Sequence, residues 1–396
     1  MSVELGIHSH TEFSMTALTE PSSAVRSLVD CFSRIEDPRV ERTRVHELTD
    51  ILILSVLAVI AGAEGWEDIR EYGENKEGFL RKFLRLRNGI PSEDTISRVM
   101  RMLRPSVVQD AFMDWVNEMQ GNLGVKRIAI DGKSLRRSHD RSSARKMLHC
   151  VCAWSVDNHL VLGEQAVDEK SNEITAIPKL LDVLDLEGAT VTIDAMGCQK
   201  EIAAKIIEGG GHYVLGAKDN HPTLCEGIAA YFTLAHEEGF VGHEVRKHST
   251  HEKGHGRVET RHYFQCEIPP SIQKLTSGWA KMKTICQVIN ITIRDGKETS
   301  EVRYYISSLP LGVKRFAESA RGHWGIENSL HWVLDVTFNE DQSRIRKDHG
   351  AENFGLLRRF AIGIIKQDTS KGSIRKKRKR AAWNDSFLLT LIASMS

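Results

Sequence analysis

Two aspartates in this chain stand where their type and position could serve chemistry on phosphate. Asp131 follows the apolar, β-prone run "RIAI" and precedes a glycine, Lys133, Arg136 and Arg137, and Asp194 follows "TVTI" in the same way. One such aspartate is more often a turn residue than a ligand. Two of them in one small sheet would repel each other unless a cation lay between them. Oxygen ligands favour Mg²⁺, for which Mn²⁺ can substitute, and the sequence has no Cys/His cluster at zinc spacing.

A third acid, Glu327, lies in a helix that the pattern predicts to begin near Val313. At 3.6 residues per turn it shares one face with four apolar residues: Phe316, Ala320, Leu330 and Leu334. An unpaired charge is costly in an apolar stripe, so burial beside a metal ion is one interpretation. A glutamate at the edge of the stripe that pairs with His331 or Arg321 is the other, and the periodicity favours neither.

Basic and aromatic side chains accompany these acids, a combination that suits contacts with DNA. The candidates for such contacts are Lys133, Arg136, Arg137, Lys218, Arg321, His323, Trp324, Arg344 and Arg346. For each of the first four, an ordinary exposed cation is an equally good interpretation. Trp324, taken alone, is more typical of core packing.

The elements that must position the acids are of two kinds. The pattern is helical up to about residue 121, and from Val125 short β-prone runs alternate with helices. This order predicts an α/β fold with a mixed sheet covered on both faces. The predicted organisation is a loose leader (1–22), an all-α N-terminal domain (23–122), the first part of the α/β core (123–219), a β-rich insertion (220–310), core helices that carry the glutamate (311–366) and a basic C-terminal tail (367–396).

Composition bounds the class of protein. The 396 residues are 41% hydrophobic and 27% charged, which is typical of a globular chain, and a net charge of +1 argues neither for nor against a polyanionic partner. The longest uncharged apolar run, residues 51–63, is shorter than the ~20 residues of a membrane-spanning helix, so we expect a buried helix and no membrane. The first twenty residues lack a signal-sequence pattern. The seven cysteines form no CxxC pair, which indicates a cytoplasmic protein with reduced thiols.

Two further patterns leave the interpretation open. Between Lys366 and Arg380 there are eight Lys or Arg residues and one Asp, which is typical of a solvated tail or of an arm that contacts nucleic acid. Within the N-terminal domain a short helix–turn–helix is a candidate, although ordinary packing of a helical bundle explains the pattern better.

Several long blocks, in the same order, resemble those of the DDE transposases of bacterial insertion sequences. The nearest group is that of the H-repeat-associated proteins, and the resemblance runs from about Ser27 to the end of the chain. The blocks include "IAIDGKSLRRS", "DEKSNEITAIPKLLD", "TIDAMGCQK" and "RGHWGIENSLHWVLDVTFNED". Motifs of this length and order are far more specific than isolated acids.

The resemblance implies an RNase H-like core in which Asp131, Asp194 and Glu327 bind two divalent metal ions, with Asp131 bridging both. It implies metal-dependent cleavage of transposon ends and strand transfer by in-line phosphoryl transfer, with residues 23–122 binding the DNA ends. The implied partners are DNA and a second copy of the chain in a synaptic homodimer, and the implied location is the bacterial nucleoid. The alternatives are a metal-dependent nuclease without strand transfer and a DNA-binding relic that has lost catalysis.

The glutamate helix departs from the wider insertion-sequence group at three positions. That group has a Tyr, an Arg and a Lys where this chain has Ala320, His323 and Leu334. The departure leaves Glu327 in place as the expected metal ligand. It removes the basis for transferring the group's DNA contacts, and Arg321 and His323 are the predicted substitutes.

Overall fold

The computed structural model describes residues 23–120, 124–135, 147–167, 173–254 and 256–395. The predicted leader (1–22) and two of the predicted phosphate-binding cations, Arg136 and Arg137, lie outside the described residues. Within these ranges no single helix has the length and apolar character to cross a membrane. One pair of helices with a sharp bend between them, Leu48–Ala61 and Trp66–Leu80, passes that test only when taken together.

The N-terminal part consists of helices, as predicted. They are α1 (Ser23–Ser33), α2 (Leu48–Ala61), α3 (Trp66–Leu80), α4 (Glu93–Met102) and α5 (Pro105–Gln120). Helix α2 is buried along almost its whole length because its sequence is apolar on every side, which confirms the buried helix expected for this run. Helix α4 begins where the Ser92 hydroxyl accepts a hydrogen bond from the backbone N–H of Thr95 at 3.3 Å.

A nine-stranded mixed sheet follows, in the order β3-β2-β1-β4-β5-β9-β8-β7-β6. Its strands are β1 (Arg127–Ser134), β2 (His149–Ser155), β3 (Leu160–Val167), β4 (Thr190–Ile193), β5 (His212–Ala217), β6 (Arg246–Gly254), β7 (Arg257–Glu267), β8 (Thr284–Arg294) and β9 (Lys297–Ser307). Strands β1, β4 and β5 run parallel, and the other pairings are antiparallel. The predicted β-rich insertion is thus joined to the core, because β9 pairs with β5.

Helices cover both faces of the sheet, as the α/β pattern predicts. On one face lie α6 (Glu173–Leu181), α7 (Lys200–Glu208) and α8 (Pro222–Glu237). Ile128 and Ile130 of β1 belong to the apolar core on that side. Ala129, between them, belongs to the core shared with the N-terminal helices, because successive strand residues point to opposite faces.

The predicted glutamate helix is a nearly continuous run with one irregular turn. Helix α9 (Val313–Ile326) leads into a π-helical turn over Glu327–His331, and α10 (Trp332–Thr337) follows directly. A π turn holds one residue more than an α-helical turn and is frequent at functional sites.

The predicted C-terminal tail is instead folded. After the buried helix α11 (Gly350–Gln367), residues Ile374–Trp383 form α12 and Asp385–Ala393 form α13. Helix α12 packs on α2, and its Ala381 is fully buried. Two cations of the basic run are also buried: Lys377 forms an ion pair with Asp368 at 2.9 Å, and Arg378 donates a hydrogen bond to the carbonyl of Val59. The interpretation of this run as a solvated tail was wrong, because the packing of α12 on α2 buries Lys377 and Arg378 while the other cations of residues 375–380 stay exposed.

Candidate metal centre

Strands β1 and β4 place the two aspartates side by side. Ile130 and Ile193 are register partners in the parallel pairing, and Asp131 and Asp194 are the next residues of their strands. Only β4 ends there. Strand β1 continues to Ser134 through its pairing with β2, so Asp131 lies within a strand instead of at its end. Asp194 is exposed, and its Oδ1 accepts hydrogen bonds from the backbone N–H groups of Met196 and Gly197.

Glu327 approaches the same place from the π-helical turn. Donor atoms of Asp131, Glu327 and His331 all lie within 4.8 Å of one another. Glu327 is exposed, as in the interpretation that places it at the edge of the stripe, and it is not buried within the stripe. Ile326 takes the fully buried position next to it, and Glu327 lines an open cleft. Arg321 pairs with Glu252 instead of Glu327, at 3.1 Å.

The surroundings of Asp131 disfavour the charged form of its carboxyl group. Burial raises the pKa of its carboxyl to about 7, and the neighbouring Glu327 carboxylate adds to this rise. The backbone N–H of Gly132, which donates to Asp131 Oδ1 at 2.9 Å, partly offsets it, and Asp194 contributes a smaller repulsion. A buried carboxyl group whose charged form is opposed by a neighbouring carboxylate favours a cation between the two.

His331 is a member of this cluster that sequence reasoning did not select. It is only 7% exposed, and its Nδ1 lies 3.5 Å from Asp131 Oδ2. Its buried Nε2 has no hydrogen-bond partner among the described residues. Burial, with a further contribution from the charge of Lys133, lowers the pKa of the imidazole to about 3. His331 is therefore neutral near pH 7, the form in which histidine binds metals.

Two of the predicted DNA-binding side chains lie in surroundings that conflict with that role. Lys133 is 7% exposed, and its Nζ lies 2.6 Å from Asp335 Oδ1, with Glu340 close by, so it forms a buried ion pair instead of presenting its charge to phosphate. His323 is half-buried beside Thr192, and burial lowers its pKa to about 4, so it carries no positive charge near pH 7.

The other predicted contacts lie in different places. Arg321 and Trp324 line a cleft of about 480 Å³ between α9 and strands β7 to β9, where the Arg303 guanidinium stacks 3.7 Å above the Trp324 ring. Lys218 is exposed directly after β5, whose neighbour β4 ends at Ile193, just before Asp194. The exposed Arg344 and the partly buried Arg346 lie in the segment between α10 and α11.

A buried hydrogen-bonded chain lies behind the acids, on the opposite side of β1. The Ser134 hydroxyl is 2.8 Å from His149 Nδ1, and His149 Nε2 is 2.6 Å from Glu173 Oε1. A Cβ on Gly132 would lie 2.3 Å from that Glu173 oxygen, so only glycine fits between the acids and this chain. Glu173 lies in the quoted block "DEKSNEITAIPKLLD", but nothing in its spacing indicates this contact.

Comparison with known proteins decides the family. A transposase DDE domain model matches residues 124–364, and the model of its associated domain matches residues 29–116. The H repeat-associated putative transposase YhhI of Escherichia coli K12 is 40% identical over 93% of this chain and 98% of its own length. The putative transposase YncI of Escherichia coli O157:H7 is 38% identical over 94% of this chain and 96% of its own.

This chain belongs to the DDE transposase family. A DDE domain has an RNase H-like fold and implies a divalent metal cofactor, which agrees with the mixed sheet and with the cluster of donor atoms at β1. Among the relatives of this DDE transposase is a shorter protein named inactive transposase YbfQ from Escherichia coli K12, which is 46% identical over 19% of this chain. A piggyBac transposase synaptic complex with hairpin DNA has a TM-score of 0.39 at 11% identity, over 92% of this chain and 80% of that one, a likeness too distant to support an inference.

Proposed function

We propose that this DDE transposase cleaves the DNA ends of its own insertion sequence and joins them to target DNA, with Asp131, Asp194 and Glu327 as the catalytic metal ligands. The observation that carries the proposal is the convergence of these acids. Asp131 and Asp194 follow paired positions of two parallel strands, and Glu327 reaches Asp131 from a separate helix. These are the positions in which the resemblance to the insertion-sequence transposases expects them.

The residues present fit a divalent ion. The Asp131 carboxyl group, which burial and a second carboxylate keep partly protonated, lies 3.5 Å from Nδ1 of the largely buried His331. Lys133, two residues beyond Asp131 in β1, is paired with Asp335 instead of with the acids. Oxygen donors favour Mg²⁺ or Mn²⁺, and such an ion, when bound, activates water and stabilises the leaving oxygen of a phosphodiester.

The protein's own groups would divide the remaining tasks. Asp131 is largely buried and lies within a strand, so it would set the position of the centre, while Asp194 and Glu327 are exposed and can be reached by DNA. Lys218 and Arg321 border the acids and would bind phosphates, which makes affinity depend strongly on salt concentration. Residues 23–122 would bind the DNA ends, and two copies of the chain would assemble on them.

Two alternatives remain distinguishable from this proposal. A nuclease would use the same residues without joining strands, because hydrolysis and transesterification need the same ligands. A relic would bind DNA and cleave nothing, and a relative named as inactive makes this alternative worth testing.

The test uses the DNA that flanks the gene. Linear fragments carrying these flanks are incubated with the protein, a circular target and Mg²⁺ or Mn²⁺, alongside Asp131→Asn and, as a matched control, the exposed Asp295→Asn in the β8–β9 turn. We expect metal-dependent end cleavage and joined products for the wild type and for Asp295→Asn, with a loss of at least ~10³-fold for Asp131→Asn. Cleavage without joining would identify a nuclease, and binding without cleavage would identify a relic.

A further inference from the structure

His331 is placed by the backbone where a metal ligand would be. Glu327 and His331 are four residues apart at the two ends of the π-helical turn. Residues four apart on a helix lie on the same side, a spacing that helical metal sites use. Here the turn directs both side chains towards β1, where their donor atoms and those of Asp131 lie within 4.8 Å of one another.

The surroundings of His331 leave one of its nitrogens without a function inside the protein. The residue is 7% exposed, and Nε2 is a buried polar atom with no hydrogen-bond partner among the described residues. Buried polar groups without partners are rare because their desolvation is costly. The nitrogen that faces the acids is Nδ1, which lies 3.5 Å from Asp131 Oδ2, too far for a strong hydrogen bond, so Nδ1 is the donor that an ion at the acids would reach.

The acids alone make an incomplete set of ligands. Asp194 is exposed and outside the close cluster, and its Oδ1 is already engaged with the backbone N–H groups of Met196 and Gly197. Glu173, the other buried acid nearby, is held by His149 at 2.6 Å on the opposite side of β1. An ion between Asp131 and Glu327 therefore has the His331 ring as its nearest further donor.

We propose that His331 is a direct ligand of the divalent ion held by Asp131 and Glu327. This inference rests on the proposed function, because it concerns the same centre, and it changes the chemistry expected there. An imidazole ligand favours transition metals over Mg²⁺, which prefers an all-oxygen shell. The centre should therefore bind Mn²⁺ more tightly than Mg²⁺ and by a larger ratio than three carboxylates alone would produce.

Electron paramagnetic resonance of bound Mn²⁺ tests the inference without reference to activity. The full-length protein is prepared with natural-abundance histidine and with ¹⁵N-labelled histidine, each is loaded with one equivalent of Mn²⁺, and the modulation of the electron spin echo by nitrogen is recorded. We expect a nitrogen coupling in the unlabelled protein that changes to the ¹⁵N pattern on labelling. Because isotope substitution leaves the protein unaltered, this result does not depend on whether a variant folds.

Variants assign the signal to one residue. His331→Gln should lose the nitrogen coupling and bind Mn²⁺ at least ~10-fold more weakly, with a smaller change for Mg²⁺. His251→Gln, an exposed histidine on β6, should retain both the coupling and the affinity. Thermal unfolding followed by circular dichroism checks that both variants are folded.

Two results would overturn the inference. One is Mn²⁺ bound with an Asp131-dependent affinity but without nitrogen coupling. The other is a coupling that survives in folded His331→Gln. Either can occur while the DNA-joining assay succeeds, in which case the proposed function stands and the ligand assignment fails. A nitrogen coupling without any cleavage or joining of DNA would instead support His331 as a ligand and contradict the proposed function.

Discussion

Removing the charge of Asp131 is expected to stabilise the metal-free protein. Burial and the Glu327 carboxylate raise the pKa of Asp131 from 3.8 to about 7, so the folded state keeps a proton that the unfolded chain has already released. Between about pH 4 and pH 7 the folded state therefore loses stability as the pH rises, and above pH 7 the whole penalty is present. This rise in pKa corresponds to about 4 kcal/mol, which relaxation around a side chain that is 17% exposed reduces to about 1–3 kcal/mol.

Urea unfolding of chelator-treated protein measures the effect. At pH 8 the free energy of unfolding of Asp131→Asn should exceed that of the wild type by about 1–3 kcal/mol, and at pH 4.5 the difference should shrink by more than half. Asp194→Asn is the matched control, because this side chain is exposed and an amide oxygen can still accept the two backbone hydrogen bonds. Its free energy of unfolding should change by less than ~0.5 kcal/mol. Added Mn²⁺ should stabilise the wild type and leave Asp131→Asn unchanged.

Equal stability of the wild type and Asp131→Asn at pH 8 would refute the reasoning, and so would a difference of the same size at both pH values. The first result would mean that the buried carboxylate is already compensated within the protein. The second would mean that the substitution acts through packing instead of charge.

Three further predictions concern other buried polar groups. Arg359 lies fully buried between Glu164 at 3.0 Å and Glu340 at 3.1 Å. Arg359→Met should therefore lower the free energy of unfolding in urea by about 3–5 kcal/mol. Replacing an exposed arginine of α12 by Met should lower it only slightly. Gly132→Ala should lower the free energy of unfolding by about 1–3 kcal/mol and weaken Mn²⁺ binding, because the added methyl group displaces the Glu173 carboxylate behind Asp131. Unchanged Mn²⁺ affinity would contradict this. Burial lowers the pKa of Lys366 from 10.5 to about 8, so the charged form is penalised below pH 8 and stability recovers between pH 8 and pH 10.5. Lys366→Met should remove that part of the pH profile of unfolding, and an unaltered profile would refute the assignment.

The positions of the two aspartates could be predicted because their signal is local. Each follows a short run of apolar, β-prone residues, and two such strands in one parallel sheet necessarily present the following residues along one edge. The glutamate helix was equally open to prediction from its 3.6-residue period. The exposure of Glu327 could not be predicted in this way, because periodicity shows which residues share a face of the helix but not where along the helix that face leaves the core.

Lys133, His331 and the basic run show why the rest could not be predicted. The partner of Lys133, Asp335, is 202 residues away in the sequence, so nothing near the lysine indicates that it is buried. The role of His331 depends on a π-helical turn, which has no local sequence signal of comparable strength. The C-terminal cations suggested a solvated segment, and only the tertiary packing of α12 against α2 shows that Lys377 and Arg378 face inwards.

Helix α11 bears on the distance between a bound DNA sequence and the site of cleavage. It packs on α2, α4 and α5 and on β3, and its residues from Gly350 to Ile365 are buried except Glu352. The helical layer and the sheet therefore pack against the same helix. DNA bound by the N-terminal helices would therefore lie at a fixed distance from the carboxylates. Under the proposed function, the distance between the recognised sequence and the cleaved bond would be set by the length and packing of α11.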